Sequence, residues 1–265
     1  MKSSRYIRIA RSMMQIIKRA RIPLYLHKTS NHMYTVWQHL ILLALHQYES
    51  KSYRKFVDFL DECIGVQQYL GLSKILHYTT LQKVATRMDT AMLQKILESF
   101  MIHARIKKIF TGIDATGFGH TQASYYYTKC IKLRRKFVKM SAISDMKKQI
   151  VCAIKIRHLQ RHDSVDFTSL LYKANNICPI STVVADKDMI QKRTMSLHIV
   201  WGLQVLFLQD TRMSQCTGPG GYHRKMFKRK EYDAAIYHQR NKAETIFSVI
   251  KRMLGENVTS RKISM

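Results

Sequence analysis

Apolar positions in the first hundred residues recur at helical spacing. Val36, Leu40, Leu43 and Ala44 fall on one face of a helix, as do Tyr53, Phe56, Val57 and Leu60. Leu81, Val84, Ala85, Met88, Met92 and Ile96 continue as a longer stripe, with Thr79 or Thr80 placed to cap one long helix. Residues 72–87 read as a plain helical hairpin, with a helix-turn-helix as the alternative. After about Ala104 the period shortens to two. Short β-prone runs follow at 109–113, 124–127, 137–143 and 149–156, then a helical stretch at 164–174 and a strand at 182–185. An amphipathic helix is predicted over 232–254, stopped by Gly255, with Ile246, Val249, Ile250 and Met253 as its buried side. Strands in succession, then a helix and one more strand, make a mixed α/β region behind an all-α one.

Charge changes the picture most. Lysine and arginine total 45 against 17 acids, a net charge of +28 over 265 residues. Self-repulsion on that scale is relieved by a polyanion, so nucleic acid is the expected partner and an anionic membrane surface the second. Ten glycines and three prolines exclude a collagen-like or low-complexity chain. Cys63, Cys130, Cys152, Cys178 and Cys216 are odd in number and never spaced as CxxC, against both a disulfide framework and a zinc ribbon. The longest apolar run, residues 40–45, is far short of the roughly 20 residues of a spanning helix. Residues 1–30 carry eight basic and no acidic side chains, but the basic residues interrupt it too often for a secretory segment. The expectation is a cytoplasmic, nucleoid-associated protein with no membrane contact.

Scarce acids make their placement informative. Asp114 follows Ile109-Phe110-Thr111-Gly112-Ile113, and Asp186 follows Thr182-Val183-Val184-Ala185, each at the end of an apolar run. Strand ends of α/β sheets hold ligands and metals, although a lone aspartate there starts a turn or caps a helix just as well. On the last helix Tyr237, Arg240, Glu244 and Lys251 share an arc of about 60°. Alone, that face is a solvated surface with an Arg240–Glu244 pair.

Together these residues form a more specific pattern. Tyr237, two residues, Arg240, three residues, Glu244, six residues and Lys251 resemble the C-terminal signature of DDE transposases of prokaryotic insertion sequences, in the IS-four and IS-five-like branch. Gly112-Ile113-Asp114-Ala115-Thr116-Gly117 is similar to that family's first aspartate on its first strand, and Val183-Val184-Ala185-Asp186-Lys187 to its second. Spacings of 72 and 58 residues separate the three acids in the family's order. The resemblance covers roughly the last 160 residues strongly and the helical N-terminus loosely.

What the resemblance implies is a ribonuclease-H-like catalytic domain, a mixed sheet flanked by helices, over residues 104–265, behind a helical DNA-binding region at 1–103. Asp114, Asp186 and Glu244 would be the catalytic carboxylates and would hold two divalent ions, Mg2+ or Mn2+, for which hard oxygen ligands are suited. Tyr237, Arg240 and Lys251 would contact DNA. The implied activity is metal-dependent cleavage of transposon-end DNA and strand transfer to a target, by a homodimer on paired ends. The alternatives are an inactive remnant that still binds DNA, a metal-dependent nuclease of the same fold, and a basic regulator whose carboxylates are structural. Lys129, Lys132, Arg134, Arg135, Lys136 and Lys139, and the cluster Arg224, Lys225, Lys228, Arg229 and Lys230, are expected to track DNA backbone without sequence preference. His158, His162 and Asp163 read as solvated loop residues, since nothing completes a metal set.

One stretch departs from the family pattern. Where relatives continue Lys-Gly-Tyr-Asp after the second aspartate, this chain reads Lys187-Asp188-Met189-Ile190-Gln191-Lys192-Arg193. Lys-Gly-Tyr-Asp-Ser-Glu-Glu written AAA GGA TAT GAT TCA GAA GAG, stripped of one G, reads AAA GAT ATG ATT CAG AAG AG, which encodes Lys187 to Arg193. Family-like text resumes near Gly221. Residues 188–220 are therefore read as out of frame, against ordinary divergence of a loop, and the chain as truncated after Lys251 relative to its relatives.

Overall fold

A computed structural model describes residues 4–29, 32–119, 137–157, 164–185, 204–207, 238–239 and 241–258. The chain divides into two compact units, residues 1–105 and 106–265.

The first unit is all helical: α1 (Arg5–Arg19), α2 (Val36–Glu49), α3 (Tyr53–Glu62), α4 (Ile64–Leu70), α5 (Tyr78–Arg87) and α6 (Thr90–His103). Thr35 starts α2 with a capping box: its hydroxyl accepts from the Gln38 N–H, and its own N–H donates to the Gln38 side chain. Ser52 caps α3 in the same manner through the Lys55 N–H. One apolar cluster holds these helices together, with Ile17, Ile41, Leu42, Phe56, Leu60, Leu76 and Leu81 almost wholly buried.

Here the structure corrects three expectations. The stripe from Leu81 to Ile96 is not one helix. α5 ends at Met88, whose ψ of 126° is extended, and Asp89 caps a new helix by accepting from the Ala91 N–H. An aspartate can compete for backbone donors in this way, so the continuous apolar spacing survives a break in the backbone. The N-cap of α5 is His77 and not Thr79 or Thr80. Residues 72–87 hold a single helix, so they form neither a hairpin nor a helix-turn-helix.

The second unit contains β1 (Ile109–Gly119), β2 (Phe137–Asp145), β3 (Ile150–Arg157), α7 (Ser164–Ile177), β4 (Ile180–Ala185), β5 (Gln204–Phe207) and α8 (Asn241–Leu254). Its strands form one mixed sheet in the order β3-β2-β1-β4-β5. β1, β2 and β3 pair antiparallel, while β4 and β5 run parallel to β1. The Thr111 hydroxyl donates to the Thr182 carbonyl and the Ser181 hydroxyl to that of Ile109, which fastens β4 to β1.

Alternate residues of a strand face opposite sides, and the two helices use opposite faces. Phe110, Phe118, Met140 and Ala142 pack with Ala243, Ile246 and Phe247 of α8. On the other face Ser141, Lys155 and Arg157 meet Asp166 of α7. The Asp166 carboxylate pairs with Lys155 at 3.2 Å and with the Arg157 guanidinium at 2.6 and 2.7 Å, and accepts from the Ser141 hydroxyl. Burial opposes its charge, but the hydrogen bonds from Arg157 and Lys155 outweigh burial and hold it below the usual carboxylate range. Asp145 is also buried. It accepts from the Phe110 and Lys148 N–H groups and so pins the β2–β3 turn to the start of β1.

Further corrections fall in this unit. β1 does not end at Asp114. It continues to Gly119 because β2 pairs with it throughout, Asp114 lying opposite Ala142 and Gly119 opposite Phe137. The final helix runs from Asn241 after a turn at Gln239, whose carbonyl accepts from the Lys242 N–H, so the span predicted over 232–254 is interrupted there; residues 232–237 and 240 of that span lie outside the described residues. Of the expected buried side, Ile246 is buried and Ile250 packs against the core, but Met253 is half-exposed, and Ala243 and Phe247 complete the stripe. Lys139, expected to track DNA backbone, is a buried residue of β2. β5 lies inside the segment read as out of frame and pairs with β4, from Thr182 opposite Gln204 to Ala185 opposite Phe207. The expected strand at 124–127 lies outside the described residues.

Candidate active site

Phe110, Gly112, Asp114, Thr116 and Phe118 share the face of β1 that α8 covers. The two phenylalanines are anchors, Phe110 against Ala243 and Ile246, Phe118 against Phe247. Gly112 sets how near the helix comes. A Cβ there would meet the Met146 thioether at 2.7–2.8 Å and the Ala243 methyl at 3.4 Å, so the absent side chain makes room for the first turn of α8. That turn carries Glu244, where the helix dipole favours an anion.

The far end of α8 is fastened as well. Gly255 ends the helix at φ +88°, a conformation that favours glycine. The chain then returns to β1: the Gly119 N–H donates to the Glu256 carbonyl at 3.0 Å, and the Val258 N–H to the Gly119 carbonyl at 2.8 Å. A side chain at Gly119 would lie 2.7 Å from the Asn257 amide oxygen.

Between these fastenings lies an open groove of about 700 Å³. Asp114, Ala115 and Thr116 line one wall, and Glu244, Phe247, Ser248, Lys251, Arg252, Gly255 and Glu256 the other. Asp114 is half-buried, and its carboxylate accepts from the Ala115 N–H at 2.8 Å. The Lys251 ammonium lies 5.7 Å from the centre of the Phe118 ring, a cation–π distance that holds it over the strand.

Three of the residues singled out in the sequence, Asp114, Glu244 and Lys251, are thus brought to one groove. Asp186 follows Ala185, the last residue of β4, but lies outside the described residues, as do Tyr237, Arg240, Arg134, Arg135 and Lys136. His158, His162, Asp163 and the basic cluster from Arg224 to Lys230 lie outside them too. Ser248, Arg252 and Glu256 were missed. Ser248 and Arg252 stand four and eight residues after Glu244, so helical spacing alone would have put both on its face.

A family model described as Transposase DDE domain matches residues 107–264, well over half of the chain. The chain belongs to that family. The matched stretch holds the five described strands, α7, α8 and the residues that line the groove. No curated protein matches the chain.

Transposases of this family generally use divalent metals. The donor chemistry present fits such ions, since Asp114 and Glu244 offer hard carboxylate oxygens to one groove. Among the described residues no three His, Cys, Asp or Glu side chains converge as a metal set. The described thiols are unsuited to the role: Cys152 is buried, and burial pushes its thiol up to about 12. Among the described residues no helix is long and apolar enough to cross a membrane.

Proposed function

We propose that this chain is an insertion-sequence transposase that cleaves DNA at the ends of its element and joins the freed 3′ end to a target, with residues 104–265 as a ribonuclease-H-like catalytic domain and 1–103 as a DNA-binding region. The observation that carries this is the convergence of Asp114 from β1 and Glu244 from α8 on one groove with Lys251, in a chain of the transposase DDE family. The mixed sheet with a helix on each face supports the ribonuclease-H-like reading.

Asp114, Asp186 and Glu244 would hold the metal ions. Bound there, two such ions, Mg2+ or Mn2+, would supply activation of a water or 3′-hydroxyl and stabilisation of the leaving oxygen in an in-line phosphodiester displacement. The chain's own part is to place charge. Asp114 is fixed by its place in β1 opposite Ala142 of β2, two residues past the last β1–β4 pair, and Glu244 by a helix anchored at both ends. Lys251 and Arg252 put two cations along the same wall, where a DNA phosphate is neutralised. Tyr237 and Arg240 position the strand, and Arg134, Arg135 and Lys136 extend the basic surface for duplex DNA. A homodimer on paired ends would bring two such sites together, and a cytoplasmic, nucleoid-associated location follows from the substrate.

The departure from the family pattern at Lys187-Asp188-Met189-Ile190-Gln191-Lys192-Arg193 favours a second reading, an inactive remnant that binds DNA. The test is a supercoiled plasmid carrying the element's ends, incubated with the chain and Mg2+. Nicking and joining that vanish in Asp114→Asn, with gel-shift binding intact, support the transposase. Binding without nicking supports the remnant, and nicks without joining a nuclease of the same fold.

A further inference from the structure

We infer that the exposed face of α1 is the surface by which the N-terminal unit grips the phosphate backbone of duplex DNA, independently of sequence. The inference deepens the DNA-binding role proposed above for residues 1–103 and rests on it.

α1 is divided sharply. Ala10, Ile16 and Ile17 are buried in the helical core, with Tyr6, Ile7, Ile9, Met13 and Met14 packed around them. Arg5, Arg8, Arg11, Lys18 and Arg19 are all exposed. At about 100° per residue these five cations fall within an arc of roughly 140°, and the helix carries no acid. The N-terminal half of that arrangement works against folding. Arg5 and Arg8 stand in the first turn, where the helix dipole disfavours cations, and Arg5, Arg8 and Arg11 repel one another at three-residue steps.

Both ends of the array are nevertheless held in place. The Arg5 guanidinium lies 4.9 Å from the centre of the Tyr48 ring and the Lys18 ammonium 5.8 Å from that of Trp37, both rings on α2. The Trp37 indole is itself fixed by donating to the Ile22 carbonyl. Among the described residues no carboxylate pairs with Arg8, Arg11 or Arg19; Glu49, which accepts from the Tyr6 hydroxyl, is paired with Lys51. The result is a preorganised, uncompensated row of positive charge about 21 Å long. Over that length one strand of duplex DNA presents about six phosphates. A membrane surface fits less well, because the apolar face of α1 is used inside the unit and leaves nothing to insert.

The test uses the full chain and measures fluorescence anisotropy with two labelled duplexes, one carrying the element's end and one random, between 50 and 200 mM salt. Arg8→Gln with Arg11→Gln is expected to weaken both duplexes about tenfold and to lower the slope of log affinity against log salt by about 2. Arg5→Gln with Arg19→Gln is the second variant and should behave alike. Lys83→Gln with Lys95→Gln removes the same charge from α5 and α6 and should stay within about twofold of wild type. Circular dichroism checks that every variant melts as the wild type does. Equal loss in the α1 and control variants, no loss in either α1 variant, or binding confined to anionic vesicles would overturn the inference. Binding through α1 without Asp114-dependent nicking would leave it standing and sink the catalytic reading, whereas a wild type that binds no duplex sinks both.

Discussion

The two units bury polar groups in opposite ways. In the helical unit the interior contains imidazoles: His39 donates through Nδ1 to the Thr35 carbonyl, His46 stacks on Tyr53 at 4.2 Å, and the Nε2 atom of each is buried without a hydrogen bond. In the sheet unit the interior contains carboxylates, and Asp145 and Asp166 are each held by several donors. A neutral ring with one lone pair unsatisfied is tolerable in an apolar core, whereas a charge is not unless it is paired. Asp114 differs from both. It is half-buried beside an open groove, a setting a structural acid does not need.

Removing Asp166 should have the largest effect on stability. Asp166→Ala leaves Lys155 and Arg157 facing α7 without their counterion, and about 3 kcal/mol should be lost from the sheet unit. Both cations keep roughly a quarter of their side-chain surface exposed, which places the loss at the low end for a broken buried pair. Urea unfolding followed by peptide-resolved hydrogen exchange reads the units separately, and peptides of α1–α6 should not respond. Equal weakening of both units would break the comparison.

A smaller effect is expected at Gly112. Gly112→Ala drives a methyl into Met146 and Ala243 and should cost about 1–2 kcal/mol, since the Met146 side chain can shift but is fully buried. Exchange should rise in α8 as well as in β1, because the helix is what the glycine lets in.

The smallest effect is in pH dependence, and it separates the units by range. Burial lowers the pKa of His39 and His46, so the unfolded chain binds protons at these sites before the folded one does. Their contribution is intact above about pH 6.5 and declines as the pH falls below it. Asp166 is held below its ordinary value, so its contribution persists until the pH drops under about 3.9. Between those limits the helical unit should weaken while the ion cluster of the sheet unit holds. The same exchange experiment at pH 7 and pH 5 checks this, and His46→Phe should flatten the slope.

Local chemistry explains what the sequence revealed and what it hid. β2, β3 and α7 were legible because their periods are unbroken over six residues or more, and β4 because of the short apolar run Thr182-Val183-Val184-Ala185. The continuation of β1 past Asp114 was not, since Ala115-Thr116-Gly117 has no apolar alternation and owes its strand conformation to β2, encoded some twenty residues later. The break at Met88 was hidden because the apolar stripe runs through it. In the site, the spacing from Glu244 to Lys251 located one wall and the Gly112-Ile113-Asp114 run the other. Their juxtaposition depends on Gly112 and on the return of Glu256–Val258 to Gly119, which no motif announced. The face of α8 was also misjudged. Phe247 rotates the buried stripe toward Glu244, so the functional residues sit on its shoulder against the sheet and not opposite it.

The central claim is that Asp114 and Glu244 serve one metal-holding groove. Mn2+ titration of the full chain, followed by the loss of the free-ion electron paramagnetic resonance signal, tests it most directly. Wild type should bind, Asp114→Asn and Glu244→Gln should each weaken binding at least about tenfold while melting normally, and the double variant should bind little more weakly than the worse single one. Unchanged Mn2+ affinity in both single variants would contradict the account.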